Sequence, residues 1–425
     1  MPKTRKIMQD THRQETIGVD HVIERMMRLG VSDGLIVETV NRVFLTARID
    51  ETDVQRRRQA IESYAIRLQR LIDAPRIEQR TPEWYAIRRE LVTASDFAQA
   101  LGDAKFGTQR QFFIKKCGYV EEAFNASMPP LKWGIMFEPV AADLYVQRNG
   151  GVLHDFGLLR HPTLPFIGAS PDGITDHGIM VEIKCPYRRK VTGQVPLQYY
   201  YQIQGQLEVC GLDECDYLEC EFAEYDELDE FECDDRGHDS GVIVEFRAED
   251  GTYSFEYGDG TARTAAARAA ALRWARDRPG RSGCQTYVHA WRLDVLNIIR
   301  VRRDQRFIDD KLPQLEAVWN TVLEFRKDRA AYDEYMGRGR KKNAAEPAPP
   351  AAASRCMFVD EEDADGPSKA RPENPARPPA AASRCMFVDE EDADGSSKAR
   401  PENPARPPTV ASRCMFVDEE DVIVA

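Results

Sequence analysis

From about Ile17 to Leu71 apolar residues recur at three- and four-residue steps, in GVDHVIERMMRLG, DGLIVETVNRVFL and ETDVQRRRQAIESYAIRLQRLID. Each segment gathers its apolar side chains on one helical face, so residues 1–75 are expected to form a helical N-terminal module. TPEWYAIRRELVTASDFAQAL predicts one helix, a short break and a second helix capped by Thr93 or Ser95. GTQRQFFIKKCG and LKWGIMFEPVAADLYVQRNG add two more helices, the second stopping at Asn149-Gly150-Gly151.

The period changes at Gly151. GVLHDFGLLRHP, FIGASPDGITDH and IMVEIKCPYR are short apolar or alternating runs cut by Gly, Pro and Asp, the pattern of a β-meander. PLQYYYQIQGQLEVCG returns to helical spacing and ECDYLECEFAEY to a strand. An acidic stretch follows, then a strand at GVIVEFRAED, an Ala/Arg-rich helix around Arg263 to Arg276, a strand near YVHAWRLDVLNIIRV and a last helix, RFIDDKLPQLEAVWNTVLEFRKD. The expected fold class is α/β: a domain over 76–336 with a central mixed β-sheet flanked by helices, carrying an acidic insertion near 223–286.

From about Gly337 the composition collapses into Ala, Pro, Arg, Glu and Ser, and SRCMFVDEED occurs three times, starting at Ser354, Ser383 and Ser412. Spacers such as PENPARPP cannot bury a core, so 337–425 is expected to be a disordered tail that displays one motif repeatedly. Met-Phe-Val beside four acids suits docking on a basic groove, and repetition raises effective concentration. The expected partner is a strand-annealing or single-strand-binding protein; duplication without function is the alternative. The basic run from Arg338 to Lys342 reads as a nuclear-import signal, a DNA-contacting arm or a solubilising junction.

The net charge of −13 argues against a phosphate-gripping protein until its distribution is considered. The segment from Asp213 to Asp235 carries thirteen acids and no base. With it and the tail set aside, basic residues outnumber acidic ones, which leaves room for a basic groove. No apolar run approaches the roughly 20 residues that span a bilayer, and the opening residues lack a signal-peptide pattern, so an intracellular protein with no membrane partner is expected. Three of the ten cysteines sit in the tail repeats and the rest show no C-x-x-C spacing, which favours free thiols in a reducing compartment. Cys210, Cys215, Cys220 and Cys233 match no usual metal-cluster spacing and are expected to be buried thiols, as is Cys185. His161, His177 and His289 have no partners at ligand spacing.

The most informative window is FIGASPDGITDHGIMVEIKCP. Residues i and i+2 of a strand share a face, so Glu182 and Lys184 project together while Ile183 turns into the core. A turn at Asp176-His177-Gly178 brings Asp172 alongside. Two carboxylates and the Ile183 backbone carbonyl form a hard oxygen set suited to Mg²⁺ or Mn²⁺, and Lys184 can orient an attacking water and offset charge on a phosphodiester.

SPDG followed by EIKCP resembles the PD-(D/E)xK nuclease signature in the form found in lambda-exonuclease-like, YqaJ-type viral recombinases (alkaline exonucleases). The likeness continues in order: EWYAIRRELVTAS upstream, WGIMFEP resembling a W-G-x-x-x-E helix, and YYYQIQGQL downstream. It is close over Pro82 to Cys220 and weaker to about Arg326. The resemblance implies a restriction-endonuclease-like core and two metal ions. Asp172, Glu182 and Lys184 would be the catalytic core, Glu138 a ligand of the second ion, and Gln202 and Tyr199 neighbours of the scissile phosphate. Arg88 and Ser95 would bind the terminal 5′-phosphate, a role that an arginine fork and a helix N-terminus suit on their own terms. Trp84 and Trp133 are expected to be packing anchors. The implied activity is Mg²⁺-dependent 5′→3′ exonucleolysis of linear double-stranded DNA, yielding 5′-mononucleotides and 3′ overhangs. The implied partners are DNA ends and, as in ring-forming relatives, other copies of the chain. An endonuclease or flap nuclease of the same fold, and a catalytically vestigial DNA-end-binding scaffold, are the alternatives.

Overall fold

A computed structural model describes residues 14–338 except 17, 45–46, 76, 106 and 120–127. The tail repeats, and the basic run beyond Arg338, lie outside the described residues. After a short strand β1 (Gln14–Thr16) come three helices, α1 (Val19–Arg28), α2 (Asp33–Val43) and α3 (Glu51–Ile72). Their apolar stripes meet in a small core of Ile23, Ile36, Val40 and Val54. Asp50 and Asp53 cap α3 reciprocally, each carboxylate accepting the other's backbone N–H at 3.0 Å.

Helix α4 (Pro82–Arg89) opens with proline in its first turn. The expected second helix behind it is broken up. Strand β2 (Val92–Thr93) leads into a 3₁₀ turn over Ala94–Asp96 and only then into α5 (Phe97–Leu101). The cause is strand pairing, because Val92 and Thr93 run parallel to Ile167 and Gly168. Thr93, of the two candidate caps, is the one in a capping box, with Asp96. Helices α6 (Gln109–Cys117) and α7 (Pro129–Asn149) follow, α7 stopping at Gly150 as the pattern requires.

The five strands β3 (Leu153–His154), β4 (Leu159–Arg160), β5 (Ile167–Ala169), β6 (Gly173–Thr175) and β7 (Met180–Lys184) are not one meander. A three-stranded sheet takes β2, β5 and β4, while β3, β6 and β7 join the main sheet. The chain continues through α8 (Leu197–Cys210), β8 (Glu214–Glu224), α9 (Leu228–Cys233), β9 (Ser240–Ala248), β10 (Tyr253–Tyr257), α10 (Ala265–Arg276), β11 (Cys284–Arg302), α11 (Gln305–Lys327) and α12 (Arg329–Arg338). The eight-stranded main sheet has the order β10-β9-β11-β8-β7-β6-β3, with β1 alongside β11. It is mixed: β7 runs parallel to β8 and β1 to β11, and the other pairs are antiparallel.

The acidic stretch is therefore part of the architecture. Its second half forms α9, which with β9, β10 and α10 encloses a core of Phe231, Val242, Val244, Phe246 and Leu272. Strand β11 pairs with β9 through Cys284–Arg292 and with β8 through Trp291–Arg302, so one strand spans both parts of the sheet.

Helices cover both faces. On one, Phe97, Phe112, Met180, Tyr199, Ile203, Leu207, Tyr217, Leu315 and Trp319 pack together. On the other, Phe137, Leu144, Val181, Ile183, Leu218 and Phe222 do so. The two-residue alternation of β7 is visible in this division: Met180 faces the α8 layer, Val181 and Ile183 the α7 layer.

The acids at the start of β8 hold the N-terminal helices in place. Asp216, fully buried, bonds His21 Nε2 at 2.9 Å, Arg300 Nε at 2.6 Å and the Tyr145 hydroxyl at 2.6 Å. Glu214 takes Arg57 Nη1 and Arg300 Nη1, each at 2.8 Å, and both arginines also reach Glu24 of α1. Burial raises the Asp216 carboxyl, but Arg300 and His21 overcome it and hold it well below the usual carboxylate range. Cys185, Cys210, Cys215 and Cys220 are buried thiols in no disulfide; Cys233 is exposed, contrary to expectation, because α9 turns Phe231 to the core instead. No described helix is long and apolar enough to cross a membrane.

Candidate active site

The site forms where the β6–β7 hairpin opens. The turn closes through Gly178 N–H to the Thr175 carbonyl at 2.8 Å, and the ladder runs on through the Gly173–Val181 pair. Continuing it would pair Ile183 with Pro171, which has no N–H to give. Instead the Asp172 carboxylate accepts the Ile183 N–H at 2.7 Å, and the Pro171 carbonyl accepts Gln79 Nε2 at 3.4 Å. The break in the ladder is what carries Asp172 to the neighbouring strand.

Glu182 is fully buried on the α8 face, and α8 meets it with two side chains one turn apart. Gln202 Nε2 donates to Oε1 at 2.6 Å and Gln206 Nε2 to Oε2 at 2.7 Å. Lys184 Nζ lies 2.6 Å from the same Oε1 and 4.8 Å from the centre of the Tyr199 ring. Tyr199, Gln202 and Gln206 form one stripe of α8, so a single helical face supports the acid and the lysine together. Helix α8 comes this close to the Ala94–Phe97 segment because of Gly205, where a Cβ would stand 2.7 Å from the Phe97 ring and 3.0 Å from Ala94 Cβ.

Asp172 is pushed well above its ordinary range by desolvation, then by the neighbouring charges of Glu182 and Glu138, which Lys184 only partly offsets. Glu138 itself, on α7, is bound by Arg80 Nη2 at 3.0 Å. Among the described residues no three His, Cys, Asp or Glu side chains form a ready-made metal cluster, so the expected carboxylate set of Asp172, Glu182 and Glu138 is not closed up. The surplus negative charge around Asp172 nonetheless fits a hard divalent cation, and oxygen donors are the right chemistry for Mg²⁺ or Mn²⁺.

Arg88 and Ser95 stand together, with Arg88 Nη2 donating to Ser95 Oγ at 3.1 Å. Ser95 is exposed, whereas Arg88 is 9% exposed and lies 4.2 Å from the Trp84 ring centre. Thr93 N–H is taken by Asp96 at 3.0 Å, and a single 3₁₀ turn before a five-residue helix offers little dipole. Trp84 does more than pack: its Nε1 donates to Ser170 Oγ at 3.1 Å, two residues before Asp172.

Residues 83–213 match the family model of the YqaJ-like viral recombinase domain. Over that stretch the chain is similar to this family. It is 31% identical over 196 residues to an uncharacterized protein of Acanthamoeba polyphaga mimivirus, a match covering 40% of this chain and 35% of that one. Over 166 residues it is 29% identical to a protein of African swine fever virus, covering 32% and 46%. The chain thus spans less than half the length of these relatives. Among solved structures, the alkaline exonuclease LHK-Exo from Laribacter hongkongensis is 22% identical, with 62% of this chain and 100% of that chain covered and a TM-score of 0.34.

Two further residues touch the site, Gln206 within the matched window and Arg80 just before it. Gln206 was detectable, since it lies one turn beyond Gln202 in the same YYYQIQGQL run. Arg80 precedes the matched window and left no periodic signal.

Proposed function

We propose that this chain is a divalent-metal-dependent DNA exonuclease that degrades one strand of linear duplex DNA 5′→3′, releasing 5′-mononucleotides and leaving 3′ overhangs for recombination or genome processing. The observation that carries this reading is the meeting of Asp172 and Glu182 from adjacent strands, with excess negative charge, beside Lys184 on the face lined by α8.

Asp172, Glu182 and the Ile183 carbonyl would hold Mg²⁺ or Mn²⁺, with Glu138 serving a second ion. The bound metal supplies Lewis acidity that activates water and neutralises the leaving oxygen. Gln202 and Gln206 fix both oxygens of Glu182, so its carboxylate is oriented before substrate arrives. Lys184, steered by Glu182 and the Tyr199 ring, is the group positioned to orient water and take up charge on the phosphorus oxygens. Arg88 and Ser95 would receive the 5′-phosphate, with the exposed hydroxyl meeting it first. Trp84, touching both Arg88 and Ser170, ties that contact to the carboxylates.

The test uses end-labelled linear duplex and closed circular DNA, each with Mg²⁺ and with chelator. Mononucleotides released from 5′-ends of linear DNA only, and only with metal, are expected. Cutting of the circle would favour an endonuclease, and end binding without cutting a scaffold.

A further inference from the structure

The segment joining the N-terminal helices to α4 is strapped across the carboxylate site. Leu158 N–H bonds the Ile77 carbonyl at 2.9 Å, and Gly157 lies so close that a Cβ there would sit 2.1 Å from that oxygen. Gln79 reaches the Pro171 carbonyl, and Thr81 Oγ1 ties back to the Glu78 carbonyl at 2.9 Å before capping α4. Between these anchors Arg80 has φ 66°, the only positive φ at a non-glycine among the described residues. A bulky residue is held in the left-handed region only where its surroundings enforce it, and such positions concentrate at working sites. The enforced backbone delivers the guanidinium to Glu138, both side chains being a little over a third exposed.

We propose that Arg80 is an exchange residue. It neutralises Glu138 while the metal site is empty, and passes to a phosphate of the bound DNA strand when a divalent ion claims Glu138. The two partners of Arg80 are chemically alike, since carboxylate and phosphate oxygens both match the guanidinium fork. An exposed ion pair is weak enough to be given up, so the exchange needs no large rearrangement. The strap also binds the Pro171 carbonyl and leads into the helix bearing Trp84 and Arg88, so Arg80 stands between the metal ligands and the 5′-phosphate residues. The inference rests on the metal role assigned to Glu138 above.

Its test needs no turnover. Mn²⁺ binding is measured by titration calorimetry. Binding of a short 5′-phosphorylated duplex in Ca²⁺ is followed as salt is raised, for the wild type, Arg80→Gly, Arg80→Lys and Glu138→Gln. Glycine accepts the backbone conformation at this position, so Arg80→Gly removes the side chain without adding backbone strain. Expected are Mn²⁺ affinity about fivefold tighter in Arg80→Gly, the scale of one exposed ion pair, and a salt slope for DNA shallower by about 0.9. Arg80→Lys should keep the slope. In the Glu138→Gln background, Arg80→Gly should bring no gain in Mn²⁺ affinity. Unchanged or weaker Mn²⁺ binding in Arg80→Gly, or an unchanged slope, overturns the exchange. Wild-type Mn²⁺ binding that is indifferent to Asp172→Asn overturns the metal reading first, and the exchange with it.

Discussion

Two carboxylate clusters lie along this sheet, each with a fully buried acid, and they are balanced in opposite ways. At the start of β8, Glu24, Glu214 and Asp216 meet Arg57, Arg300 and His21, and Asp216 is held well below the usual carboxylate range. At the β6–β7 opening, Lys184 serves Glu182 and Arg80 serves Glu138, while Asp172 has a backbone N–H and is pushed upward. The first cluster is finished as it stands and fastens α1 and α3 to the sheet. The second retains unmet negative charge, which is what a site for a cation and a phosphodiester requires. Burial alone does not separate the two; the balance of charge does.

The sharpest way to break this comparison is to remove one acid from each cluster. Asp172→Ala or Lys184→Ala should lower Mg²⁺-dependent cleavage by roughly a hundredfold to a thousandfold or more while DNA binding persists. Because no cation among the described residues pairs with Asp172, Asp172→Asn should melt no lower than the wild type, as read by thermal denaturation. Asp216→Asn should do the reverse, destabilising by about 3–5 kcal/mol in urea unfolding as Arg300 and His21 lose their partner, with activity per folded molecule kept. Equal stability loss in Asp172→Asn and Asp216→Asn would erase the distinction.

Arg88→Ala sharpens a finer point. Loss of a hydrogen bond to a charged group costs about 1.5–3 kcal/mol, so use of 5′-phosphorylated ends should fall roughly 10- to 100-fold. Cleavage from 5′-hydroxyl ends should change little, and equal loss on both would remove the assigned role. The smallest effect is in pH. The folded-state pKa of Asp216 lies below its ordinary 3.8, so its contribution to stability is complete above that value and is lost as pH falls further. Asp216→Asn should flatten that part of the acid-unfolding profile.

The parts of this molecule legible in the sequence are those set by period and by motif. Glu182 and Lys184 had to share a face, and Ile183 had to turn away from it, whatever the tertiary context. Asp172 could be placed beside them because the turn at Gly178 is local. What sequence pattern could not supply depends on residues far apart along the chain. The parallel pairing of Val92–Thr93 with Ile167–Gly168 replaced an expected helix start by a strand, and it drew β5 out of the anticipated meander. The acids of Asp213 to Asp235 stand out in the sequence only as a run of charge, yet Glu214 among them is buried against arginines 157 and 86 residues distant. Arg80 was invisible for a related reason: its importance comes from a backbone angle and a contact with another helix.

Strand β11 has one further consequence. Its first half is covered by β9 on one side, and its later residues have β8 on one side and β1 on the other. Trimming the chain to the matched residues 83–213 would remove β8 and leave β7 without its parallel neighbour, and excising 223–286 would take β9 away from what remains of the first half of β11. The exposed edge would be a template for intermolecular pairing, so minimal fragments should aggregate where the full chain does not.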